Sequence, residues 1–284
     1  MAITEADIQA RLRTLIDPIT GKDFVSGKAV RKIHVDGADA VVDIQLGYPA
    51  KTQHDVQRKL IVDALAALPG AGRVTVNISQ KITSHAVQRG VKLIPGVKNI
   101  VAIASGKGGV GKSTVAANLA VALEKTGARV GLCDCDIYGP SISLMFGTRD
   151  RPTATEENRI IPIEQYNLKL MSMGFLLDDS APAILRGPMV TRYTQQFLRQ
   201  VEWGELEYLV LDLPPGTGDI QLTIVQTVAL SGAIIVTTPQ EVALIDARKA
   251  STMFEKVNVP VIGLIENMSY FESPSDGKRY DIFG

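Results

Sequence analysis

The chain has few cysteines, few aromatic side chains and no excess of charge of either sign. Its 284 residues include two cysteines, Cys133 and Cys135, which excludes a small fold held together by disulfides. Lysine and arginine number 30, as do aspartate and glutamate, so the composition indicates no general affinity for nucleic acid or for an anionic membrane. No apolar run is long enough to span a bilayer. The length accommodates one large α/β domain and a smaller one.

The first residues, MAITEADIQARLRTLID, have the pattern of an amphipathic helix with two early acids, which a signal peptide does not have. A cytoplasmic protein is therefore expected. The three histidines, His34, His54 and His85, lie far apart and match no metal-ligand spacing. We expect each to be an ordinary surface or boundary residue.

The chain divides near residue 90. The predicted elements before that point are a helix at 4–16, strands at 29–37 and 38–48 joined by an Asp-Gly turn, a helix at 52–70 and a strand at 73–79. Residues 1–80 therefore form a predicted small αββαβ domain, followed by a weakly periodic linker at 81–96. Alternating strand and helix patterns then predict an α/β domain at 97–284 with a doubly wound, mostly parallel sheet.

A glycine-rich stretch, ASGKGGVGKST at residues 104–114, has the strongest functional pattern. Its glycines match the dinucleotide fingerprint GxGxxG, and Asp134 follows at about the spacing of a ribose-binding acid. The same stretch satisfies GxxxxGK[ST], and a dinucleotide-binding loop has no use for Lys112 and Ser113 at that point. A buried strand is expected before it and a helix after it. A phosphate-binding P-loop of the P-loop NTPase type is therefore favoured over a Rossmann oxidoreductase.

A P-loop predicts how ATP and Mg²⁺ are bound. Lys112 neutralises the β- and γ-phosphates, the hydroxyl of Ser113 binds Mg²⁺, and Asp212, at the end of the apolar strand LEYLVLD, reaches the same ion from the Walker B position. Asn267 follows a later strand, where its amide can hydrogen-bond the adenine edge. The predicted nucleotide-binding residues are Gly106, Lys107, Gly108, Gly109, Val110, Gly111, Lys112, Ser113, Thr114 and Asn267.

Two further acids follow the strand that begins at Ala128. Asp134 and Asp136 are two residues apart, so a regular strand presents both on one face, toward the phosphates. We assign Asp136 to orienting or deprotonating the attacking water, and Asp134 to the metal shell or to holding the loop. The segment PPGTGD after Asp212 has the composition of a loop that responds to the γ-phosphate.

Several strings resemble one family. KGGVGKST resembles the deviant Walker A motif of the ParA and nitrogenase-iron-protein class of dimeric ATPases. The N-terminal unit is similar to the small iron–sulfur-assembly domain often fused to the Mrp/ApbC branch, the P-loop iron–sulfur cluster carriers. The strings similar to that branch are CDCDIYGPS, RGPM at 186–189, DLPPGTGD, TTPQEVALID and ENMSYF. The resemblance implies a slow, Mg-dependent ATP hydrolase. It also implies that the protein is a homodimer, that it delivers clusters to apoproteins, and that neither nucleic acid nor a membrane is a partner.

The resemblance also explains why the loop contains two lysines. In this class the first lysine reaches across a face-to-face dimer to the partner's phosphates, so Lys107 is assigned the charge that an arginine finger supplies elsewhere. The alternative is a solvated loop lysine. The predicted catalytic residues are therefore Lys107, Asp136 and Asp212.

The chain departs from the family where the cluster ligands are expected. The family has Cys-x-x-Cys after the NMSYF strand, and this chain has Ser273 and Asp276 at those positions. Oxygen ligands are poor substitutes for thiolates, so a cluster is doubtful in this chain and no cluster ligands are assigned. Cys133 and Cys135 are expected to be buried packing residues. The sequence ends at Gly284, where the family continues, so the domain is expected to lack its C-terminal end.

Two other function classes use the same machinery. A ParA-like positioning or regulatory switch, which has no cluster, needs a basic surface or an amphipathic tail, and the sequence shows neither. A scaffold that binds ATP without turnover lacks the catalytic acids, which are present here. The specific strings therefore favour the cluster carrier.

Overall fold

The computed structural model describes residues 3–85, 90–175, 195 and 197–282. The chain forms two compact units, one of Met1–Thr83 with Lys125–Gly127 and the other of Ser84–Glu124 with Ala128–Gly284. The RGPM segment at 186–189 lies outside the described residues. In the part of the chain that the structure covers, none of the helices has the length and apolarity needed to cross a membrane.

The first unit is a three-stranded sheet with two helices. It consists of α1 (Glu5–Leu12), β1 (Val30–Asp36), β2 (Asp39–Leu46), a 3₁₀ turn (Lys51–Gln53), α2 (His54–Ala66) and β3 (Val74–Gln80). β1 pairs antiparallel with β2 through a turn in which Gly37 has φ +61°, and β2 pairs parallel with β3. The hydroxyl of Thr4 accepts a hydrogen bond from the Asp7 N–H in a capping box that fixes the start of α1.

The second unit is built on a seven-stranded sheet. Its strands in chain order are β4 (Val97–Ala104), β5 (Val130–Asp134), β6 (Thr153–Ala154), β7 (Ile160–Ile161), β8 (Ile163–Gln165), β9 (Leu168–Ser172), β10 (Leu206–Asp212), β11 (Gly232–Thr237), β12 (Val261–Glu266), β13 (Phe271–Glu272) and β14 (Arg279–Tyr280). Its helices are α3 (Lys112–Lys125), α4 (Ile142–Met145), a 3₁₀ turn (Met173–Phe175), α5 (Asp219–Thr227) and α6 (Glu241–Lys256). Seven of these strands form the large sheet, in the order β12-β11-β4-β10-β5-β9-β8.

The pairing of the central strands positions the functional loops. β4, β5 and β10 are buried nearly throughout, and each pair in the sheet is parallel except β8 with β9. In register, Asp212 of β10 pairs with Ile103 of β4 on one side and with Asp134 of β5 on the other. The segments that follow these three strands therefore meet at one edge of the sheet. The predicted fold class, α/β with a mostly parallel sheet and a small N-terminal unit, is confirmed.

Some element boundaries differ from the sequence expectations. α1 ends at Leu12 and not at residue 16, because the N–H of Thr14 bonds to the Arg11 carbonyl and the helix closes in a tighter turn. The strand expected from Ala128 begins at Val130 and ends at Asp134, so Asp136 lies outside it. β8 and β9 were not predicted from the sequence.

Gly131 in the middle of β5 is a site where a single methyl group is expected to destabilise the sheet. A Cβ there would lie 2.7 Å from Leu206 Cδ1, 2.9 Å from Trp203 Cζ3 and 3.0 Å from Leu209 Cδ1. Such overpacking costs about 1–3 kcal/mol, so Gly131→Ala should lower the calorimetric unfolding midpoint of this unit. Gly263→Ala in β12 is the matched control, since nothing lies within 4 Å of its Cβ position. Equal midpoints for the two variants would contradict the close packing.

Candidate nucleotide-binding site

The P-loop joins β4 to α3, as the sequence predicts. Gly109 and Gly111 have φ of +77° and +86°, which favours glycine, and α3 begins at Lys112. A Cβ at Gly106 would lie 2.4 Å from the Asp246 carbonyl carbon, and one at Gly111 would lie 2.3 Å from Asn267 Nδ2. Gly106 therefore lets α6 approach the loop closely, and Gly111 does the same for the segment after β12.

A buried ion pair links the loop to β10. Lys112 Nζ lies 2.5 Å from Asp212 Oδ1 and 3.3 Å from Ser113 Oγ. Lys112 is 7 % exposed and Asp212 is fully buried. Burial raises the pKa of the Asp212 carboxyl, and the ammonium of Lys112 opposes that rise. The structure therefore brings together the three residues that the sequence assigns to phosphate and magnesium.

The second carboxylate oxygen of Asp212 is available to a ligand. Oδ2 is buried and has no hydrogen-bond partner among the described residues. A buried carboxylate oxygen without a partner is costly unless a cation or water satisfies it. Together with the hydroxyl of Ser113, it forms an oxygen donor set of the kind that Mg²⁺ prefers, so the residues present fit that ion.

Asp134 holds the segment that follows β5. Its Oδ2 accepts hydrogen bonds from the N–H of Ser141 at 2.9 Å and of Ile142 at 3.2 Å, and from Ser172 Oγ at 3.2 Å, while Oδ1 accepts from the N–H of Asp136 at 3.1 Å. Burial, with Asp212 nearby, raises the pKa of Asp134 to about 6. These contacts favour the loop-holding role over the metal-shell role, and they end the strand because the chain wraps around the carboxylate.

Asp136 lines a cavity beside the PPGTGD segment that follows Asp212. Its Oδ1 accepts hydrogen bonds from the N–H groups of Tyr138 and Gly139, each at 3.2 Å. The cavity has a volume of about 470 Å³, and its lining includes Asp136, Pro214 and Asp219. The sequence predicted that a regular strand presents Asp134 and Asp136 on one face. The two carboxylates instead have different surroundings, because β5 ends between them.

Lys107 and Asn267 are both held by contacts within the chain. Lys107 is partly buried, and its Nζ donates to Gln240 Oε1 at 2.9 Å. Asn267 Nδ2 donates to the carbonyl of Val110 in the P-loop at 2.9 Å. The cross-dimer role of Lys107 and the adenine contact of Asn267 stay predictions, and in this structure both side chains stabilise the loop region.

The four residues weighed as cluster ligands fall into two pairs on different elements. Ser273, partly buried, and Asp276, exposed, lie in the turn between β13 and β14, where Ser273 Oγ contacts Ser275 Oγ at 2.7 Å and Asp276 accepts the Lys278 N–H at 3.2 Å. Cys133 and Cys135 are free and fully buried, with their Sγ atoms 3.8 Å apart. No group of three or more His, Cys, Asp or Glu side chains within the described ranges is placed to hold a metal ion.

Two residues at the site were not identified from the sequence. Gln240 precedes α6 and contacts Lys107, and Ser172 ends β9 and donates to Asp134. Ser172 is a polar residue at the end of a parallel strand, which is the same signal that identified Asp134. Gln240 has no comparable local signal, because its contact with the loop joins segments 133 residues apart.

Two family models match this chain. One, described as ParA, the NUBPL iron-transfer P-loop NTPase, matches residues 96–284, and the other, described as an iron–sulfur cluster assembly protein, matches residues 5–78. The chain belongs to the NUBPL/ParA family of P-loop NTPases. The resemblance of its motifs to the Mrp/ApbC branch, with an assembly-type N-terminal unit, is thereby confirmed.

Relatives in this family cover most of the chain. The iron–sulfur cluster carrier protein of Aquifex aeolicus is 47% identical over 264 residues, which is 86% of this chain and 72% of that protein. The carrier protein of Deinococcus radiodurans is 46% identical over 274 residues, 96% of this chain and 77% of its own length. A solved nucleotide-binding protein from Archaeoglobus fulgidus, in complex with ADP, is 43% identical, with a TM-score of 0.59 over 66% of this chain and 74% of its own.

The buried ammonium of Lys112 is expected to decide nucleotide binding. Lys112→Gln keeps a hydrogen-bond donor near Asp212 but loses the charge that faces the phosphates. We expect ATP affinity, measured by isothermal calorimetry, to fall by about 100-fold, or about 3 kcal/mol, since charge-assisted bonds are strong in a desolvated site. Lys125→Gln, an exposed lysine at the other end of α3, is the matched control. Unchanged ATP affinity in a folded Lys112→Gln variant would rule out the P-loop assignment.

Proposed function

We propose that this chain hydrolyses Mg-ATP as a homodimer and carries iron–sulfur clusters to apoproteins in the cytoplasm. Its family and the relatives named as iron–sulfur cluster carriers support the carrier role. The single observation that supports nucleotide chemistry most strongly is the buried pair of Lys112 and Asp212, with the free Oδ2 of Asp212 beside it.

Each residue at the sheet edge has a proposed task. Lys112 and the N–H groups of the glycine loop bind the phosphates, while Ser113 and Asp212 hold the ion. Bound Mg²⁺ supplies the positive charge that neutralises the phosphate oxygens. Asp134 fixes the segment after β5 and so determines where Asp136 stands.

Asp136 is the proposed residue for orienting or deprotonating the attacking water. Its carboxylate borders the cavity that Pro214 and Asp219 also line, so it faces the segment expected to sense the γ-phosphate. Two backbone N–H groups hold one oxygen of that carboxylate, which limits its rotation. A fixed carboxylate beside a cavity that water can enter is what water positioning requires.

The cluster is cargo, and the residues at the expected ligand positions fit it poorly. Ser273 and Asp276 offer oxygen atoms where the family has thiolates, and soft iron–sulfur clusters prefer sulfur ligands. Cys133 and Cys135 are enclosed in the core, and burial raises the pKa of the Cys133 thiol, which disfavours the thiolate that binds metal. A cluster on this chain is therefore expected to be weakly held.

Lys107 distinguishes a contact across a dimer from a contact within the loop. If its ammonium reaches the partner's phosphates mainly in the transition state, Lys107→Ala should keep ATP affinity within about twofold and lower kcat by about 100-fold or more. Binding calorimetry and steady-state hydrolysis measure the two effects separately. A parallel fall in affinity and turnover would place Lys107 in its own loop.

Gln240→Ala is the control for that variant. It removes the 2.9 Å contact with Lys107 Nζ but leaves the ammonium in place. Hydrolysis should be kept, because the lysine must leave Gln240 to reach a partner. Loss of turnover in both variants, to the same extent, would show that the lysine acts where this contact holds it.

Ser273 and Asp276, in the turn between β13 and β14, provide a test of cluster carriage. Anaerobic reconstitution with iron and sulfide should give a weak, labile cluster on the unchanged chain. Ser273→Cys with Asp276→Cys should give a stable cluster, read by absorbance and by iron content per dimer, because two thiolates per subunit are restored. The Ser273→Cys variant and the Asp276→Cys variant, each made alone, should not hold this stable cluster.

Cys133→Ser is the matched control, because that thiol is buried. It should leave cluster content unchanged in the double cysteine variant. Strong cluster binding by the unchanged chain that disappears in Cys133→Ser would show that the buried pair is the ligand set. No cluster in the double cysteine variant, with ATPase activity intact, would favour a ParA-like switch without cargo.

A further inference from the structure

α6 presents one exposed stripe whose two halves differ in character. The stripe follows the 3–4 spacing of neighbouring turns and contains Val242, Ile245, Lys249, Thr252 and Lys256, all exposed. Val242 is 68 % exposed and Ile245 is 51 % exposed. The opposite face is buried against the sheet through Ala243, Ala247, Ala250 and Phe254. The exposed stripe is therefore apolar near the start of the helix and basic near its end.

The basic half lines a groove between α5 and α6. The groove has a volume of about 650 Å³, and its polar lining includes Thr217, Gln226, Arg248, Lys249 and Lys256. None of the described residues that line it is acidic. Three cations therefore share one concave surface with uncharged hydrogen-bonding side chains.

Two of these cations have no counter-ion in the part of the chain that the structure describes. Lys249 pairs with Asp246 at 3.0 Å. Within the described ranges, Arg248 and Lys256 lie within salt-bridge distance of no carboxylate. They are eight residues apart, which at about 1.5 Å per residue places them roughly 12 Å apart along the helix. Such a separation matches carboxylates spread along a chain better than the oxygens of one phosphate.

We propose that the α6 stripe and its groove form the docking surface for an acidic segment of a protein partner that also carries apolar side chains. Carboxylates of the segment pair with Arg248 and Lys256, and its apolar side chains cover Val242 and Ile245. Arg pairs with planar carboxylates through two parallel hydrogen bonds, which gives the contact a defined orientation. The apolar half of the stripe favours a protein partner over a free anion, because a free anion has no apolar side chains to bury against Val242 and Ile245.

A membrane or nucleic acid suits this surface less well. The cations lie in a concave groove, whereas a bilayer surface is flat and an interfacial helix carries its basic residues beside a wide apolar face. Nucleic acid is bound by many cations facing phosphates spaced along a backbone, and among the described residues that line this groove two cations lack a carboxylate partner.

The experiment measures binding of a synthetic peptide. The probe is a fluorescein-labelled peptide of Leu-Glu-Glu repeats, and a peptide of Leu-Gln-Gln repeats is the uncharged control. The full chain is titrated into each peptide at low salt. Fluorescence anisotropy should show binding of the acidic peptide alone. Arg248→Gln with Lys256→Gln should weaken it by about tenfold, and Val242→Ser with Ile245→Ser by about fivefold, with ADP affinity unchanged in both.

Arg149→Gln with Arg151→Gln is the charge-matched control, because those two arginines line a different cavity. This variant should bind the acidic peptide as tightly as the unchanged chain does. A loss of peptide affinity equal to that of Arg248→Gln with Lys256→Gln would show that net charge alone causes the effect, and would overturn the proposal. Vesicles containing phosphatidylserine and a DNA duplex form two further arms. Binding of either one that the α6 variants abolish, without peptide binding, would assign the surface to that ligand and overturn the proposal. So would a change in oligomeric state that the α6 variants cause without peptide binding.

Discussion

The ion pair of Lys112 with Asp212 is the interaction on which the rest of the site depends. Moving two charges out of water is expensive, and their attraction repays that cost only where the geometry is good. The parallel pairing of β10 with β4 and β5 supplies that geometry, because it places Asp212 in register with Ile103 and Asp134. The buried central strands thus hold the lysine of the loop and the acid of β10 in contact.

Asp134 shows how a carboxylate at the same edge of the sheet stabilises a loop through hydrogen bonds. A carboxylate that accepts three backbone N–H groups and a hydroxyl replaces the hydration that it loses on burial. It thereby frees Asp136, two residues later, to face the cavity beside Pro214. Neighbouring acids in one short string therefore have different surroundings and different proposed tasks.

The sequence allowed the loop, the sheet and the Walker B acid to be predicted, because each has a local pattern. A strand, a glycine-rich turn and a lysine at the start of a helix occur together within about twenty residues. The contacts of Gln240 with Lys107 and of Asn267 with Val110 join segments that are far apart in the chain. No periodicity or spacing encodes such contacts, so the sequence placed Asn267 near the site without its contact to Val110 and did not identify Gln240 at all.

The short strands β8 and β9 were missed for a different reason. They have three and five residues, too few for a period of two to be distinguished from chance. β9 pairs with β5 and β8 pairs with β9, so both are placed by the sheet, and β9 brings Ser172 to the Asp134 carboxylate. Tertiary packing therefore determined an element that local propensity left open.

The hydrogen bond from Asn267 to the Val110 carbonyl has a mechanical consequence. Asn267 follows β12, and residues 268–270 separate it from β13, whose hairpin contains Ser273 and Asp276. One hydrogen bond and three residues therefore separate the phosphate loop from the hairpin, along a path that does not include the central strands. The amide of a single side chain thus ties the start of the hairpin to the backbone of the loop.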